Sequence, residues 1–339
     1  MRDIRELKYM QSLPLEQKIE MTAERIDGWY NYYDGNVAIS FSGGKDSTVL
    51  LDIARNHWRG HKNIEAVYVD TGLEYPEIRQ FVKTFDNVTI LRPKMRFDEV
   101  IKKYGYPVIS KVVAHNVRCA RNEPDGDIVK NCFNEEKTGP YAMAKWNELR
   151  FVDFNIDDRC CDIMKKQPAH EYSKKNGVYF MTAEMACESK KRTDNWIANG
   201  CNGFDMKYPK STPMAFWTEQ DVLEYIYKNN LPIAKPYGEV ILNECQFDIF
   251  GNEHYNGCKY ATTGCDRTGC MFCAFGAHLE KGKTRFQRLK ETHPKQYDYC
   301  LNGGEFVNGL WQPNKHGLGM RYVFDELNRL YGDDFIRYE

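Results

Sequence analysis

Residues 42–47 read Ser-Gly-Gly-Lys-Asp-Ser. Two glycines let a backbone approach a ligand closely, and successive N–H groups leading into a helix make an anion site. Ser42 and Ser47 add hydroxyl donors and Lys45 adds positive charge. Asp46 has no place in a pure anion site, but it suits Mg²⁺ carried by bound phosphates. A second group of reactive residues is sulfur. Cys160 and Cys161 are adjacent, and far downstream Cys270-Met-Phe-Cys273 forms a close pair. Four thiolates suit Zn²⁺ or an iron–sulfur cluster. Adjacent cysteines crowd a single tetrahedral ion. They are better placed on a [4Fe–4S] cube, where each thiolate binds its own iron. Two alternatives stay open: a compact zinc site from Cys258, Cys265, Cys270 and Cys273, and a redox dithiol at Cys270/Cys273. The remaining cysteines, among them Cys119, Cys187, Cys201 and Cys300, read as packing residues.

Periodicity supplies elements to hold these groups. Pro14 opens a helix whose stripe is Leu15, Ile19, Ala23, Ile26 and Trp29-Tyr30. Val37–Phe41 reads as a buried strand ahead of the glycine turn, and Val49, Leu50, Ile53 and Ala54 mark the following helix. Strands are expected at 64–69, 88–91 and 178–182. A helix is expected from Pro76 with Ile78, Phe81, Val82 and Phe85 on one face. Alternation of this kind predicts a parallel α/β sheet. Ligands of such sheets lie beyond the carboxyl ends of strands. Ser40, Asp70, Thr71 and Gly72, at the ends of the first two strands, are therefore assigned to the same crevice as Ser42, Gly43, Gly44, Lys45, Asp46 and Ser47. Residues 93–176 interrupt the alternation as a helical insertion, with a short helix ending before Gly105. Thr218–Asp221 reads as a helix start, and further helices are expected near 284–291 and 321–331. The expected organisation is a nucleotide-binding domain over 1–235 that carries the insertion, and a smaller cysteine-containing region over 236–339.

The chain has 339 residues, with 47 Lys+Arg against 48 Asp+Glu, so its net charge is −1. Bulk charge does not argue for nucleic acid, although Lys281, Lys283, Arg285, Arg288, Lys290 and Lys295 concentrate positive charge locally. No apolar run approaches the ~18 residues of a membrane span. The first residues are charged and lack the apolar stretch of a signal peptide. A cytoplasmic location without membrane contact is expected. In a reducing compartment the 12 cysteines do not form a disulfide framework.

Taken together, these segments resemble the phosphoadenosine phosphosulfate reductase family within the PP-loop ATP pyrophosphatase superfamily. The matching pieces are Ser40-Phe-Ser-Gly-Gly-Lys-Asp-Ser47, Val69-Asp-Thr-Gly-Leu-Glu-Tyr-Pro-Glu77, Cys160-Cys161 with Lys165 and Pro168, and Gly269-Cys-Met-Phe-Cys273. Glu188-Ser with Arg192, Pro213–Thr218 and Tyr237-Gly238 add to them. The tandem cysteines are similar to those of the [4Fe–4S] adenylylsulfate reductases. The resemblance implies a PP-loop fold, an adenine nucleotide (ATP with Mg²⁺) on Ser42–Ser47, catalytic roles for Lys45, Asp46 and Arg192, and a [4Fe–4S] cluster on Cys160, Cys161, Cys270 and Cys273. Such a cluster is expected to tie the nucleotide domain to the C-terminal part. Two departures shift the expected chemistry. Those reductases carry a catalytic cysteine in a C-terminal tail, whereas the last cysteine here is Cys300. Their loop commonly lacks the Lys-Asp pair, which is intact here. Both point to ATP-dependent adenylation and sulfur transfer, with a sulfur donor protein and a tRNA or DNA acceptor as partners. The alternatives are a sulfonucleotide reductase using Cys300 or a partner thiol, and a nucleic-acid-associated module with a structural cluster or zinc.

Overall fold

The structure is a computed structural model that describes residues 2–57, 63–136, 139, 142–247, 253–255 and 258–339. The chain forms two compact units. The first comprises residues 1–70, 74–92 and 168–268, and the second 71–73, 93–167 and 269–339. The expected insertion thus falls largely in the second unit, together with the chain from 269 onward. Residues 236–268 belong to the first.

At the centre of the first unit is a six-stranded, mostly parallel sheet. From edge to edge its strands are Val88–Leu91, Glu65–Val69, Val37–Ser40, Tyr179–Met181, Lys210–Ser211 and Asn202–Gly203, the last antiparallel to its neighbour. Ile39 aligns with Ala66 on one side and Met181 on the other, and all three are fully buried or nearly so. Strands this apolar must be covered on both faces. Two helices do much of this. Lys45–Asn56 buries Val49, Leu50, Ile53 and Ala54, the expected stripe. Leu15–Tyr32 buries Leu15, Thr22, Ala23, Ile26 and Trp29.

The same helix buries a residue that apolar periodicity does not mark. Lys18 is 1% exposed, and its ammonium lies 2.7 Å from Asp221 Oδ2 and 2.7 Å from the Gln11 carbonyl oxygen. Asp221 also closes the N-terminus of helix Glu219–Asn229, accepting from the Thr218 amide at 2.7 Å. One carboxylate therefore caps a helix and neutralises a buried cation, so the helix start at Thr218 is more than a local signal.

The second unit is largely helical. Its short parallel strands Val108–Ile109 and Ala274–Phe275 join distant parts of the chain. Neither strand is legible as a periodic segment, because two residues cannot show an alternation. Gly105 ends helix Phe97–Lys103 at φ +134°, and a β-carbon there would stand 2.5 Å from the Asn155 carbonyl carbon. The Arg121 guanidinium donates to the carbonyl oxygens of Phe154, Leu149 and Val152 at 2.7–2.9 Å, and burial pushes its pKa down to about 10. Helices Arg285–Thr292 and Met320–Tyr331 bury Phe286, Leu289, Val323, Phe324 and Leu327, in line with expectation.

Removing one partner of a buried ion pair costs more than replacing both. Asp221→Ala should lower stability by about 3 kcal/mol in urea unfolding, and Lys18→Met/Asp221→Leu should recover part of that loss. Equal stability of Asp221→Ala and the parent would show that the pair contributes nothing.

Candidate functional site

The glycine turn of the first unit is tightly specified. Gly43 adopts φ +69°, and a β-carbon there would lie 2.7 Å from Val82 Cγ2 and 2.9 Å from Ile78 Cγ2. Only glycine meets both conditions. Ser42 and Ser47 hold the turn from inside. Their hydroxyls are 3.0 Å apart, the Ser42 amide donates to Ser47 Oγ at 3.2 Å, and the Gly44 amide donates to Ser42 Oγ at 3.2 Å. Gly44 is the N-cap of helix Lys45–Asn56, so the amides of Lys45 and Asp46 have no acceptor inside the helix. Ser40 is the exposed last residue of the central strand.

Lys45 is 3% exposed, with its ammonium 2.8 Å from the Asp266 carbonyl oxygen, 3.0 Å from Glu219 Oε1 and 3.9 Å from Asp46 Oδ1. Burial works against its charge, but the Asp46 and Glu219 carboxylates outweigh that cost and raise its pKa above the usual lysine value. Asp46 is shifted up as well. Burial is the main cause, Lys45 opposes it, Glu219 adds to it, and Arg267 and Arg192 lower it slightly. Asp46 Oδ1 is enclosed and makes no hydrogen bond. An orphaned carboxylate oxygen beside a helix N-terminus fits a hard cation carried by an anionic ligand.

Arg192 pairs with Glu188, and Arg267 lies 3.5 Å from the other oxygen of that carboxylate. Lys45, Asp46 and Arg192 thus join one charged cluster. Asp70 is buried and ion-paired, accepting from Arg79 Nη2 at 2.8 Å. Thr71 and Gly72 fall in the second unit. There Thr71 Oγ1 accepts from the Leu73 amide at 3.1 Å, and Gly72 takes φ +75°. Sequence reasoning missed Glu219, Asp266 and Arg267. Glu219 stood inside a helix-cap signal, and Asp266-Arg267 stood beside cysteines that drew the attention. Tyr237, read only as weak family support, closes the cluster with its hydroxyl 3.0 Å from Thr268 Oγ1.

The second unit holds the two cysteine pairs. Cys160, Cys161, Cys270 and Cys273 line one cavity with Met164 and Lys165. The Cys160 thiol donates to Cys161. That bond, opposed by burial and aided by the Lys111 and Lys165 ammoniums, pushes the Cys161 thiol below the usual cysteine range. Burial holds Cys273 up. The Cys270–Cys273 turn is fixed by the Cys273 amide on the Cys270 carbonyl oxygen at 3.1 Å and by Arg285 on the Cys273 carbonyl oxygen at 2.9 Å. Among the described residues, no three Cys, His, Asp or Glu side chains are arranged to hold a single metal ion. Four cysteines around one cavity are the soft side chains from which a thiolate-ligated metal centre could be built.

Two expectations need correction. Both cysteine pairs lie in one compact unit, so a cluster there joins two chain segments of that unit and not one segment in each of two domains. Cys300 is 0% exposed and its thiol is pushed up by burial, so it cannot serve as an accessible nucleophile. Cys258 and Cys265 belong to the first unit. Within the basic stretch, Lys283 pairs with Glu291 and Arg285 with Glu280, which spends part of its charge internally.

Residues 36–121 and 128–274 match the phosphoadenosine phosphosulfate reductase domain family. The chain is 23% identical over 266 residues to an adenosine 5′-phosphosulfate reductase of Staphylococcus haemolyticus, an alignment spanning 77% of this chain and 90% of that protein. It is 24% identical over 294 residues to an uncharacterized protein of Methanocaldococcus jannaschii, covering 80% of this chain but only 50% of that relative. A crystal structure of phosphoadenylyl-sulfate reductase from Candida auris, a phosphate complex, aligns with a TM-score of 0.36 at 15% identity over 69% of this chain and 91% of that one. No helix among the described residues is long and apolar enough to cross a membrane.

A [4Fe–4S] cluster on these cysteines predicts that anaerobically purified protein is brown with about four irons per chain and that Cys160→Ser or Cys161→Ser abolishes both. Cys258→Ser should leave both in place. The opposite pattern would transfer the metal to the compact zinc-type site.

Proposed function

The chain belongs to the phosphoadenosine phosphosulfate reductase domain family, and on that premise we propose that it binds ATP·Mg²⁺ on Ser42–Ser47, adenylates an acceptor oxygen and directs sulfur onto the activated centre. The observation that carries this reading is the enclosed Asp46 Oδ1, which accepts no hydrogen bond and has the Lys45 ammonium 3.9 Å away at a helix N-terminus. A loop that only cradled phosphate would gain nothing from an enclosed carboxylate oxygen. A loop that holds phosphate together with its magnesium ion does.

The chemistry follows from the leaving group. A carbonyl oxygen leaves poorly until it is adenylated. The acceptor oxygen attacks the α-phosphate, its new P–O bond forms as the bond to the β-phosphate oxygen breaks, and pyrophosphate leaves. A sulfur nucleophile then displaces AMP. The chain's own residues supply position and charge. Loop amides and the exposed Ser42 hydroxyl face the phosphates, the Ser47 hydroxyl holds the turn through the Gly44 carbonyl oxygen, and Asp46 would lend an oxygen to the cation. Lys45 exchanges Glu219 and the Asp266 carbonyl for phosphate oxygen. Arg192 and Arg267, which share Glu188, are the further cations of the same cluster. Cys160, Cys161, Cys270 and Cys273 are the residues that would hold a [4Fe–4S] cluster, which when bound supplies soft-sulfur or electron-transfer chemistry. A sulfur donor protein and a tRNA or DNA acceptor are the partners this reaction calls for, and nothing in it involves a membrane.

The second reading is a sulfonucleotide reductase, favoured by the names of the bacterial relatives. It uses the same loop and cysteines but releases no pyrophosphate. Since Cys300 is sealed, it needs its thiol from elsewhere.

ATP–pyrophosphate exchange separates the two. The parent protein should release pyrophosphate from ATP in the presence of acceptor. Lys45→Ala and Asp46→Ala should reduce that release by at least about a hundredfold, with unchanged circular dichroism. Because the Asp46 pKa is raised above 3.8, its carboxylate takes up a proton at higher pH than an ordinary aspartate. Activity should therefore fall on acidification before an ordinary carboxylate would titrate. Undiminished turnover in both variants would remove the loop from the reaction.

A further inference from the structure

Helix Lys111–Asn122 of the second unit carries His115 and Cys119 one turn apart on the same face. Cys119 Sγ lies 3.7 Å from His115 Nε2. The other ring nitrogen, Nδ1, is 2.9 Å from Arg118 Nη2 and 3.6 Å from Asp158 Oδ1. A guanidinium can only donate, so Nδ1 accepts, and the ring hydrogen resides on Nε2, where it faces the cysteine sulfur. Arg118 is itself fixed. Its Nη2 lies 3.3 Å from Asp158 Oδ1 and its Nε lies 3.4 Å from Asp157 Oδ2. Asp157 is 1% exposed and is gripped by the Arg159 amide at 2.7 Å. A carboxylate, a guanidinium, an imidazole and a thiol thus form a chain of oriented groups. It has the arrangement of a nucleophile, a ring that hydrogen-bonds it and groups that orient the ring.

Cys187, which is exposed, turns its thiol toward the Trp217 carbonyl oxygen at 3.5 Å and so acts as a donor. Cys258 is exposed. Cys119 is half-buried, with its sulfur in the position of an acceptor.

We propose that Cys119 is a sulfur-accepting nucleophile whose substrate class is a persulfide. This rests on the sulfur-transfer reading, which requires a sulfur source. The Cys119 sulfur attacks the terminal sulfur of R–S–SH. A new S–S bond forms to Cys119 as the donor's S–S bond breaks, and R–S⁻ leaves. The proton given up by Cys119 ends on that leaving thiolate. The products are Cys119–S–SH and R–SH, so one sulfur atom moves and neither an oxidant nor a reductant is consumed. His115 is a positioning residue, because it acts through the cysteine sulfur.

The full chain is incubated anaerobically at neutral pH with glutathione persulfide, and the gain of one sulfur atom at each cysteine is followed by mass spectrometry of its peptides. Cys119 should gain sulfur at least about tenfold faster than Cys187 and Cys258. His115→Gln should bring Cys119 down to their rate without changing the thermal midpoint. A Cys119 rate no greater than those of Cys187 and Cys258 would overturn the proposal, as would a folded His115→Gln protein whose Cys119 is as fast as the parent's. If His115→Gln fails to fold, the ranking within the parent chain still decides. Pyrophosphate release is scored separately. Its absence counts against the adenylation reading while leaving the Cys119 ranking intact, and a slow Cys119 with normal pyrophosphate release sinks only the present proposal.

Discussion

A buried ammonium needs its charge balanced nearby, and Lys45 is 3% exposed at the first position of the helix after the glycine turn. Glu219 and the Asp266 carbonyl oxygen balance it. Each comes from a distant part of the chain, so this one cation gathers the start of helix Glu219–Asn229 and the segment around residue 266 onto the turn. The arrangement leaves Asp46, the next residue, with an enclosed oxygen that accepts no hydrogen bond. The rest of the charged cluster follows from it. Arg192 and Arg267 offset the acids around Asp46, and Tyr237 lies under the ammonium with its ring centroid 5.7 Å away. A site balanced in this way can exchange internal partners for a phosphate and its cation without stranding a charge.

The second unit applies the same rule to sulfur. Cys161 is pushed toward the thiolate by a donated hydrogen bond and two lysines, while Cys160 and Cys273 are held as thiols. Four thiols around one cavity, with lysine charge beside them, form a soft-ligand site whose backbone is clamped by Arg285 and by the Met271 amide on the Leu73 carbonyl oxygen at 2.8 Å. The helix that carries His115 and Cys119 begins at Lys111, one of the two cations acting on Cys161.

Much of this was legible beforehand because it is local. The strand–turn–helix around Ser42–Ser47 is written in consecutive residues, and so is the stripe over Val49–Ala54. The cysteine quartet was legible from residue type and tandem spacing. What stayed hidden is non-local. Lys18 lies beside the expected stripe residue Ile19, and nothing near it in sequence announces that Asp221 will neutralise it. Glu219 and Asp266 are ordinary acidic positions until folding sets them on Lys45. The strands at 108–109 and 274–275 are too short to show a period, so the grouping of 93–167 with 269–339 had no signature. Cys119 read as packing because its partners are a residue one turn back and an acid on another segment.

The central claim is that Asp46 lends its stranded oxygen to the magnesium ion of a nucleotide held by the loop. Calorimetric titration of ATP into the parent protein and into Asp46→Asn, each with and without Mg²⁺, tests it most directly. The account predicts that Mg²⁺ tightens ATP binding to the parent by about tenfold or more and that Asp46→Asn loses this gain while keeping its metal-free affinity. Equal affinities with and without Mg²⁺ in the parent, or a Mg²⁺ gain that survives in Asp46→Asn, would contradict it.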